Sequence, residues 1–282
     1  MTDQYKSAPG DIQPGDAPPE ELAIGLDFGG SGIKGAVVEV RSGRIVGDRL
    51  RAATPQPSVP RDVVAVMDRL VRALTSPWSP PEGDLFPVGV GIPSPIRHGV
   101  SETAANIDRG WIGYPAEREM AAVMGRIVAA ANDADVAGLA EVRFGAGRDR
   151  PGLTIVLTIG TGVGTALFVD GVLVPNTELG HLEMKGRDAE LTASEAARTR
   201  LNLSWKEWAS GFDDYLHMLE RLFSPELFIL GGGASKRADN YLSFLTVTTP
   251  IVQAALLNNA GIVGAAVVAH ERRARDAAKA GG

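Results

Sequence analysis

Apolar and polar positions along the chain fall into two copies of one pattern. The first has an apolar run at 22–26, a glycine-rich turn at 27–32, a second apolar run at 33–40, a Ser42-Gly43 turn and a third run at 44–50. About 130 residues later the order recurs: a run at 154–159, a turn at 160–164, a run at 165–169, an Asp170-Gly171 turn and a run at 172–174. Short apolar runs bounded by Gly, Asp and Ser read as buried strands, and the two-residue turns read as hairpins. Recurrence of the whole unit points to duplication. Each copy is followed by alternating helices and buried strands. In the first half these are helix 61–74, strand 88–92, strand 127–131 and helix 133–144; in the second, helices 193–201 and 205–223, strand 227–230 and helix 235–245. A helix over 262–275 follows.

Two related α/β halves, each opening with a hairpin sheet and a glycine turn, resemble the layout of the actin-like superfamily, which implies two duplicated actin-like (ribonuclease H-like) lobes with a cleft between them. The lobes are expected at 22–134 and 135–261. Residues 1–19, rich in Pro, Gly, Asp and Ser, extend to a predicted disordered acidic tail over 1–21. That segment holds Asp3, Asp11, Asp16, Glu20 and Glu21 against Lys6, a net charge of −4 out of −6 for all 282 residues. The near-neutral body argues against nucleic acid as a partner. No apolar run reaches the roughly 18 residues of a membrane span, since Arg126 and His270 interrupt the two longest, so no membrane partner is expected. Residues 1–20 lack the apolar core of a secretory signal, which predicts a cytoplasmic protein. The chain has no cysteine, which removes disulfides, thiolate-bound zinc and thiol nucleophiles.

Three glycine clusters carry candidate chemistry. Asp27-Phe28-Gly29-Gly30-Ser31-Gly32-Ile33-Lys34 could cradle phosphate on backbone amides, with Asp27 orienting hydrated Mg²⁺; a tight hairpin is the plainer reading. Gly160-Thr161-Gly162-Val163-Gly164 has the same two readings, and the pairing of the turns in two repeats favours function. Gly231-Gly232-Gly233 ends a strand ahead of the expected helix at 235, whose first turn would carry Lys236 and Arg237. Cations there oppose the helix dipole, which makes sense beside an anion. Asn132-Asp133 opens a helix at a strand end: Asp133 is either an N-cap or a carboxylate placed to accept a hydroxyl proton. Glu178, His181 and Glu190 suit a ring of sugar hydroxyls, although an isolated Glu or His is more often a solvated loop residue.

In this order the motifs resemble the ROK family (repressor, open reading frame, kinase), and within it the polyphosphate glucokinases, over 22–270. The elements are Leu26 to Gly35, Gly91-Ile92-Pro93-Ser94-Pro95, Asn132-Asp133-Ala134, the turn from Gly160 to Gly164, Asn176-Thr177-Glu178-Leu179-Gly180-His181-Leu182-Glu183, the segment from Gly231 to Asp239, and Pro250-Ile251-Val252. The resemblance implies Asp133 as general base for the sugar 6-hydroxyl. It implies Asn106, Asn132, Glu178, His181 and Glu190 as sugar ligands. Gly29, Gly30, Ser31, Gly32, Lys34, Gly160, Thr161, Gly162 and Gly164, with Gly232, Gly233, Lys236 and Arg237, would hold phosphates, and Asp27 would hold Mg²⁺ through water. Many ROK members carry a Cys-rich zinc knuckle after the Glu-x-Gly-His; here Leu182 to Ala189 is a short loop without Cys, so no zinc is expected and His181 must be held another way.

The expected substrates are glucose with inorganic polyphosphate, ATP or both, and the expected assembly is a homodimer. The helix 262–275 would return to the first lobe. Lys34, Lys185, Arg187, Lys236 and Arg237 are candidates for a basic track along polyphosphate. The alternatives are an ATP-only hexokinase of the same family, acting on glucose, mannose or an N-acylhexosamine, and a non-catalytic sugar-sensing regulator. The regulator would need a helix-turn-helix domain that 1–21 is too short and polar to supply.

Overall fold

The computed structural model describes residues 18–78 and 85–281. They belong to two compact units, one comprising the chain up to Ala140 and again from Asn259, the other Glu141–Asn258. The first unit runs β1 (Leu22–Gly29), β2 (Gly32–Glu39), β3 (Arg44–Ala53), α1 (Pro60–Thr75), β4 (Val88–Ile92), the short pair β5 (Ile96–Arg97) and β6 (Val100–Ser101), α2 (Ala116–Met124), β7 (Val128–Asn132) and the start of α3 (Asp133–Phe144). The second runs β8 (Leu153–Ile159), β9 (Val163–Val169), β10 (Val172–Val174), β11 (Glu183–Met184), β12 (Arg187–Asp188), α4 (Glu190–Ala193), α5 (Glu195–Arg200), α6 (Trp205–Phe223), β13 (Leu227–Gly231), α7 (Gly232–Ser235) and β14 (Ile251–Gln253). Helix α8 (Ala260–Ala280) belongs to the first unit again.

The duplication in the hydropathy pattern is a duplicated sheet. Its strand order is β3-β2-β1-β4-β7 in one unit and β10-β9-β8-β13-β14 in the other. In both, the first three strands form an antiparallel meander and the last two run parallel to the first. The inner parallel strands β4 and β13 are buried and without polar side chains along their whole length, as expected of strands in a sheet covered by helices. Helix α1 lays Val63, Val64, Met67, Leu70, Val71 and Leu74 on the first sheet, one stripe at helical spacing. Helix α8 packs so closely that a Cβ at Gly25 would overlap the Ile262 carbonyl, and one at Gly89 the Ala265 carbonyl. In the second unit α6 opens with a Ser204/Glu207 capping box and buries Trp208, Phe212, Tyr215, Leu216 and Leu219.

Four expectations change. Residues 1–17 of the predicted tail lie outside the described residues, but 19–21 form a 3₁₀ turn, and the Glu21 carbonyl accepts from the Val40 amide at 2.9 Å, which ties the turn to the sheet. The helix expected at 193–201 breaks into α4 and α5, because Ser194 is extended and its hydroxyl caps α5 at the Ala197 amide. The helix expected at 235–245 does not form. Helix α7 stops at Ser235, and 3₁₀ turns over 238–240 and 242–244 replace it; they accompany full burial of the Tyr241 ring, stacked on Trp205 and edge-on to Trp208. Finally, the units divide within α3, after Ala140, and before Asn259. The first turns of α3 pack in the first unit, where Val136 meets Gly91 and Gly264, and Gly261 lies against Asp27.

Just past the first crossing, the buried Glu141 carboxylate accepts from the amides of Ala146, Ala255 and Leu256 at 3.1, 2.9 and 2.7 Å. One side chain therefore ties the end of α3 to the segment that precedes the second crossing. Among the described residues no helix is long and apolar enough to cross a membrane.

Candidate active site

In the first unit the site residues gather at the carboxyl ends of three parallel strands, where ligands of open α/β sheets bind. Asp27 pairs with Gly91 across β1 and β4, and Ile92 pairs with Asn132 across β4 and β7. Asp27 and Asn132 are thus two strand spacings apart, about 10 Å. The turn Gly30-Ser31 joins β1 to β2, which pair as far as Gly29 and Gly32. Its carbonyls are held by side chains from beyond β2: Thr54 Oγ1 donates to Gly29 O at 2.6 Å, Gln56 Nε2 to Gly30 O at 3.0 Å and Arg51 Nη2 to Ser31 O at 3.2 Å. With the carbonyls so engaged, the turn can present amides to an anion. Lys34 sits opposite Asp27 in the ladder, and its Nζ is 3.0 Å from Asp27 Oδ2.

Asn132, rather than Asp133, caps α3: its Oδ1 accepts from the amides of Ala134 and Asp135 at 2.8 and 3.1 Å. Asp133 lies one residue inside, Oδ1 on the Ala134 amide at 2.8 Å, with its carboxylate at the positive end of the helix dipole. Asn106 is exposed on the loop between β6 and α2, whose far end is anchored where Trp111 Nε1 donates to Ser58 O at 2.8 Å.

The second unit assembles the other candidates around its own turn. Gly160 donates to Gly162 O at 3.0 Å and accepts from the Ala196 amide at 3.1 Å; Thr161 is exposed and Gly164 pairs with Thr158. Glu190 Oε2 accepts from the Val163 amide at 3.3 Å and fills the space that a Cβ on Gly162 would need. Glu178 precedes a 3₁₀ turn over Leu179–His181, placing its Oε2 at 3.9 Å from His181 Nε2. On the other side of the ring, His181 Nδ1 is 2.9 Å from Asp188 Oδ2. Asp188 arrives on the β11–β12 hairpin, whose turn residues Lys185 and Gly186 both have positive φ, 55° and 78°. The segment expected to be a short loop is therefore a hairpin that delivers a carboxylate to His181.

These charges shape one another. Burial pushes the Glu178 carboxyl up and Glu190 adds to the rise, while His181 opposes it. The hydrogen bond that His181 donates to Asp188 raises His181 against the effect of burial, with Glu190 and Glu178 adding to it.

Gly232, at φ 78°, bridges to Ile159 beyond the strand ends, and Gly233 follows with Glu195 Oε2 against it. Lys236 and Arg237 are exposed but lie at and beyond the end of the four-residue α7, not in the first turn of a long helix, so the expected conflict with a macrodipole disappears. Lys236 Nζ reaches Asn258 Oδ1 at 3.3 Å. Lys185 Nζ lies 2.7 Å from Asp214 Oδ2 on α6, an exposed pair.

Sequence reasoning missed Arg51, Asp188 and Glu195. Arg51 pairs with Lys34 in the β2–β3 ladder, so reading the register would have found it. The Lys185-Gly186 hairpin turn was the available signal for Asp188.

The model of the ROK family matches residues 23–197. The chain is 44% identical to the polyphosphate glucokinase of Mycobacterium tuberculosis over 245 residues, covering 86% of this chain and 89% of that protein. Its fold matches the crystal structure of inorganic polyphosphate/ATP-glucomannokinase from Arthrobacter sp. strain KM with TM-score 0.84 and 49% identity, over 89% of this chain and 99% of the other. It also matches a ROK family glucokinase from Streptomyces griseus, in complex with glucose and AMPPNP, with TM-score 0.76 and 25% identity, over 89% of this chain and 99% of that one. With a family model spanning the first two glycine turns and Glu178, His181 and Glu190, and relatives this similar along nearly their whole length, the chain belongs to the ROK family.

Proposed function

We propose that this protein is a polyphosphate-dependent glucokinase, transferring the terminal phosphoryl group of inorganic polyphosphate to the 6-hydroxyl of glucose. The observation that carries the reading is the contrast in similarity. Proteins named polyphosphate glucokinase are 41–44% identical to this chain, whereas proteins named simply glucokinase stand at 25%. The glucomannokinase at 49% identity favours a second reading of the same site, in which ATP also serves as donor and mannose as acceptor.

In this reading Asp133 accepts the proton of the 6-hydroxyl as the oxygen attacks phosphorus; the new O–P bond forms and the bond to the rest of the polyphosphate breaks. Such catalysis is mostly positioning and charge stabilisation. Asn106, Asn132, Glu178, His181 and Glu190 hold the sugar. In the same reading Gly29, Gly30, Ser31, Gly32 and Lys34 receive phosphate, with Arg51 as an added cation on the same turn, and Gly160, Thr161, Gly162, Gly164, Gly232, Gly233, Lys236 and Arg237 are likewise phosphate ligands. Asp27 fits Mg²⁺ held through water: Oδ2 is already partnered by Lys34, which leaves a carboxylate better suited to ordering a hydrated ion than to stripping it. The ion would neutralise charge on the phosphates. A cytoplasmic homodimer completes the proposal.

The test is phosphorylation of glucose by purified protein with polyphosphate or ATP in parallel, scored as glucose 6-phosphate. Product from polyphosphate is expected. Product from ATP alone would replace this reading by the ATP-only hexokinase, and no product from either donor would return the non-catalytic regulator.

A further inference from the structure

The β11–β12 hairpin places Glu183 directly opposite Asp188. Two carboxylates facing each other across a ladder repel, so strand pairing gives no reason for an acid at 188. The reason lies in its other neighbour. His181 sits on a 3₁₀ turn with its side chain 47% exposed, a position in which an imidazole would sample several rotamers unless something held it. Asp188 Oδ2, 2.9 Å from Nδ1, supplies that hold, and the hairpin that brings it is closed by the Ala189 amide donating to Leu182 O at 2.9 Å.

We propose that Asp188 is a positioning residue for the sugar site: by accepting a hydrogen bond from His181 Nδ1–H it fixes the ring, so that Nε2 is aimed to the side of Glu178 where the acceptor hydroxyls bind. The inference rests on the reading of Glu178 and His181 as sugar ligands. A carboxylate on the far nitrogen fixes both the tautomer and the orientation of an imidazole. Three acids face the ring, Glu178, Asp188 and Glu190, and all favour its protonated form. Protonated, Nε2 donates to a sugar oxygen; at higher pH the same nitrogen, still aimed by Asp188, becomes an acceptor.

The experiment compares Asp188→Ala, Asp188→Asn and Asp188→Glu in the full chain, measuring KM for glucose and for polyphosphate separately, together with the NMR titration of the His181 ring. Asp188→Ala should raise the glucose KM by about tenfold or more, as losses of such orienting partners do, and leave the polyphosphate KM within about twofold. Asp188→Glu should recover part of the loss. In the wild type His181 should titrate above an ordinary imidazole, and lower in Asp188→Asn. Any of three results overturns the proposal: an unmoved glucose KM in a folded Asp188→Ala, equal rises in both KM values, or a His181 titration that is the same in wild type and Asp188→Asn. Stoichiometric zinc in the wild type, lost in Asp188→Ala, would also overturn it, because His181, Asp188 and Glu190 offer ligand atoms within 4.8 Å of one another and Asp188 would then be a ligand. If Asp188→Ala fails to fold, the titrations of wild type and Asp188→Asn decide. A wild type that phosphorylates no sugar would overturn the functional reading instead, and the imidazole titration would still show whether Asp188 holds His181.

Discussion

The two glycine turns occupy the same place in two copies of one sheet, yet their surroundings have opposite character. The β1–β2 turn is backed by Thr54, Gln56 and Arg51 on its carbonyls, with Lys34 beside it. The β8–β9 turn is packed by Glu190, with Glu178 and Asp188 nearby and Glu195 on the adjoining Gly233. Duplication thus preserved a backbone and not its electrostatic surroundings: one turn has the cations Arg51 and Lys34 around it, and the other has a carboxylate in the space its glycine leaves open.

The largest effect should come from Asp133→Asn. Loss of a general base lowers kcat by about 10²- to 10⁴-fold with either donor, and turnover within tenfold of wild type would remove Asp133 from the role. Next comes the pair that tests the contrast directly. A Cβ at Gly162 meets Glu190, whereas at Gly30 nothing lies within 4 Å. Gly162→Ala should therefore raise the glucose KM by about tenfold through a displaced carboxylate, while Gly30→Ala should leave glucose KM unchanged and act only on the donor. Equal effects on the sugar would erase the distinction between the turns.

The duplicated fold was largely legible in the chain itself, whereas the contrast between the turns was not, and what stayed illegible has physical causes. The Ser42-Gly43 and Asp170-Gly171 turns, the apolar runs and the start of α3 are local signals, set by backbone conformation and hydrogen bonds within a few residues. The segment after Gly233 misled because Ala238, Tyr241, Leu242 and Leu245 keep helical spacing. A tertiary preference, Tyr241 buried against Trp205, Trp208 and Phe212, accompanies two tighter turns there instead. Helix α2 follows Pro115 and ends at Gly125 in the left-handed region, punctuation that hydropathy over 120–131 conceals. Residues such as Asp133 could be singled out because capping and catalysis want the same side chain; which neighbour does the capping depended on atomic positions. Asp188 acts across a hairpin on a residue seven positions away, and Arg51 acts across a ladder, so neither forms a contiguous motif.

Smaller effects sharpen the electrostatic half of the comparison. Arg51→Ala should weaken both donors by a similar few-fold factor if the β1–β2 turn receives the reacting phosphate as proposed, since Arg51 holds the Ser31 carbonyl of that turn. The double change Lys236→Ala and Arg237→Ala should weaken polyphosphate more than ATP, and equal KM changes for the two donors would end their role as readers of the longer anion. The smallest effect concerns sheet edges. In the first unit Glu117 of α2 accepts from the Ala130 amide in β7 at 3.0 Å; in the second, Glu220 of α6 accepts from the amides and hydroxyls of Thr248 and Thr249 at 2.7–2.9 Å just ahead of β14. Burial alone would raise Glu220, but those hydrogen bonds outweigh it and hold the carboxyl down at about 2 against an ordinary 4.5. A depressed carboxyl stabilises the fold fully above its unfolded value and loses that contribution as pH falls through the folded one. Thermal melts should therefore show Glu220→Gln less stable than wild type near neutrality, with the gap closing between about pH 4.5 and about pH 2. A gap independent of pH would mean that the charge contributes nothing.

The close seating of α8 on Gly25 and Gly89 has a consequence for how the molecule is made. The first sheet is complete once residue 132 has been synthesised, but the helix that covers it starts 128 residues later, at Ala260. The second unit is contiguous from Glu141 to Asn258. On a ribosome the amino-terminal half therefore waits with an uncovered face, and the later half is the one able to finish first, the reverse of the usual vectorial order. A chain halted at Asn258 should carry a protease-resistant second unit beside a first unit that is readily cut.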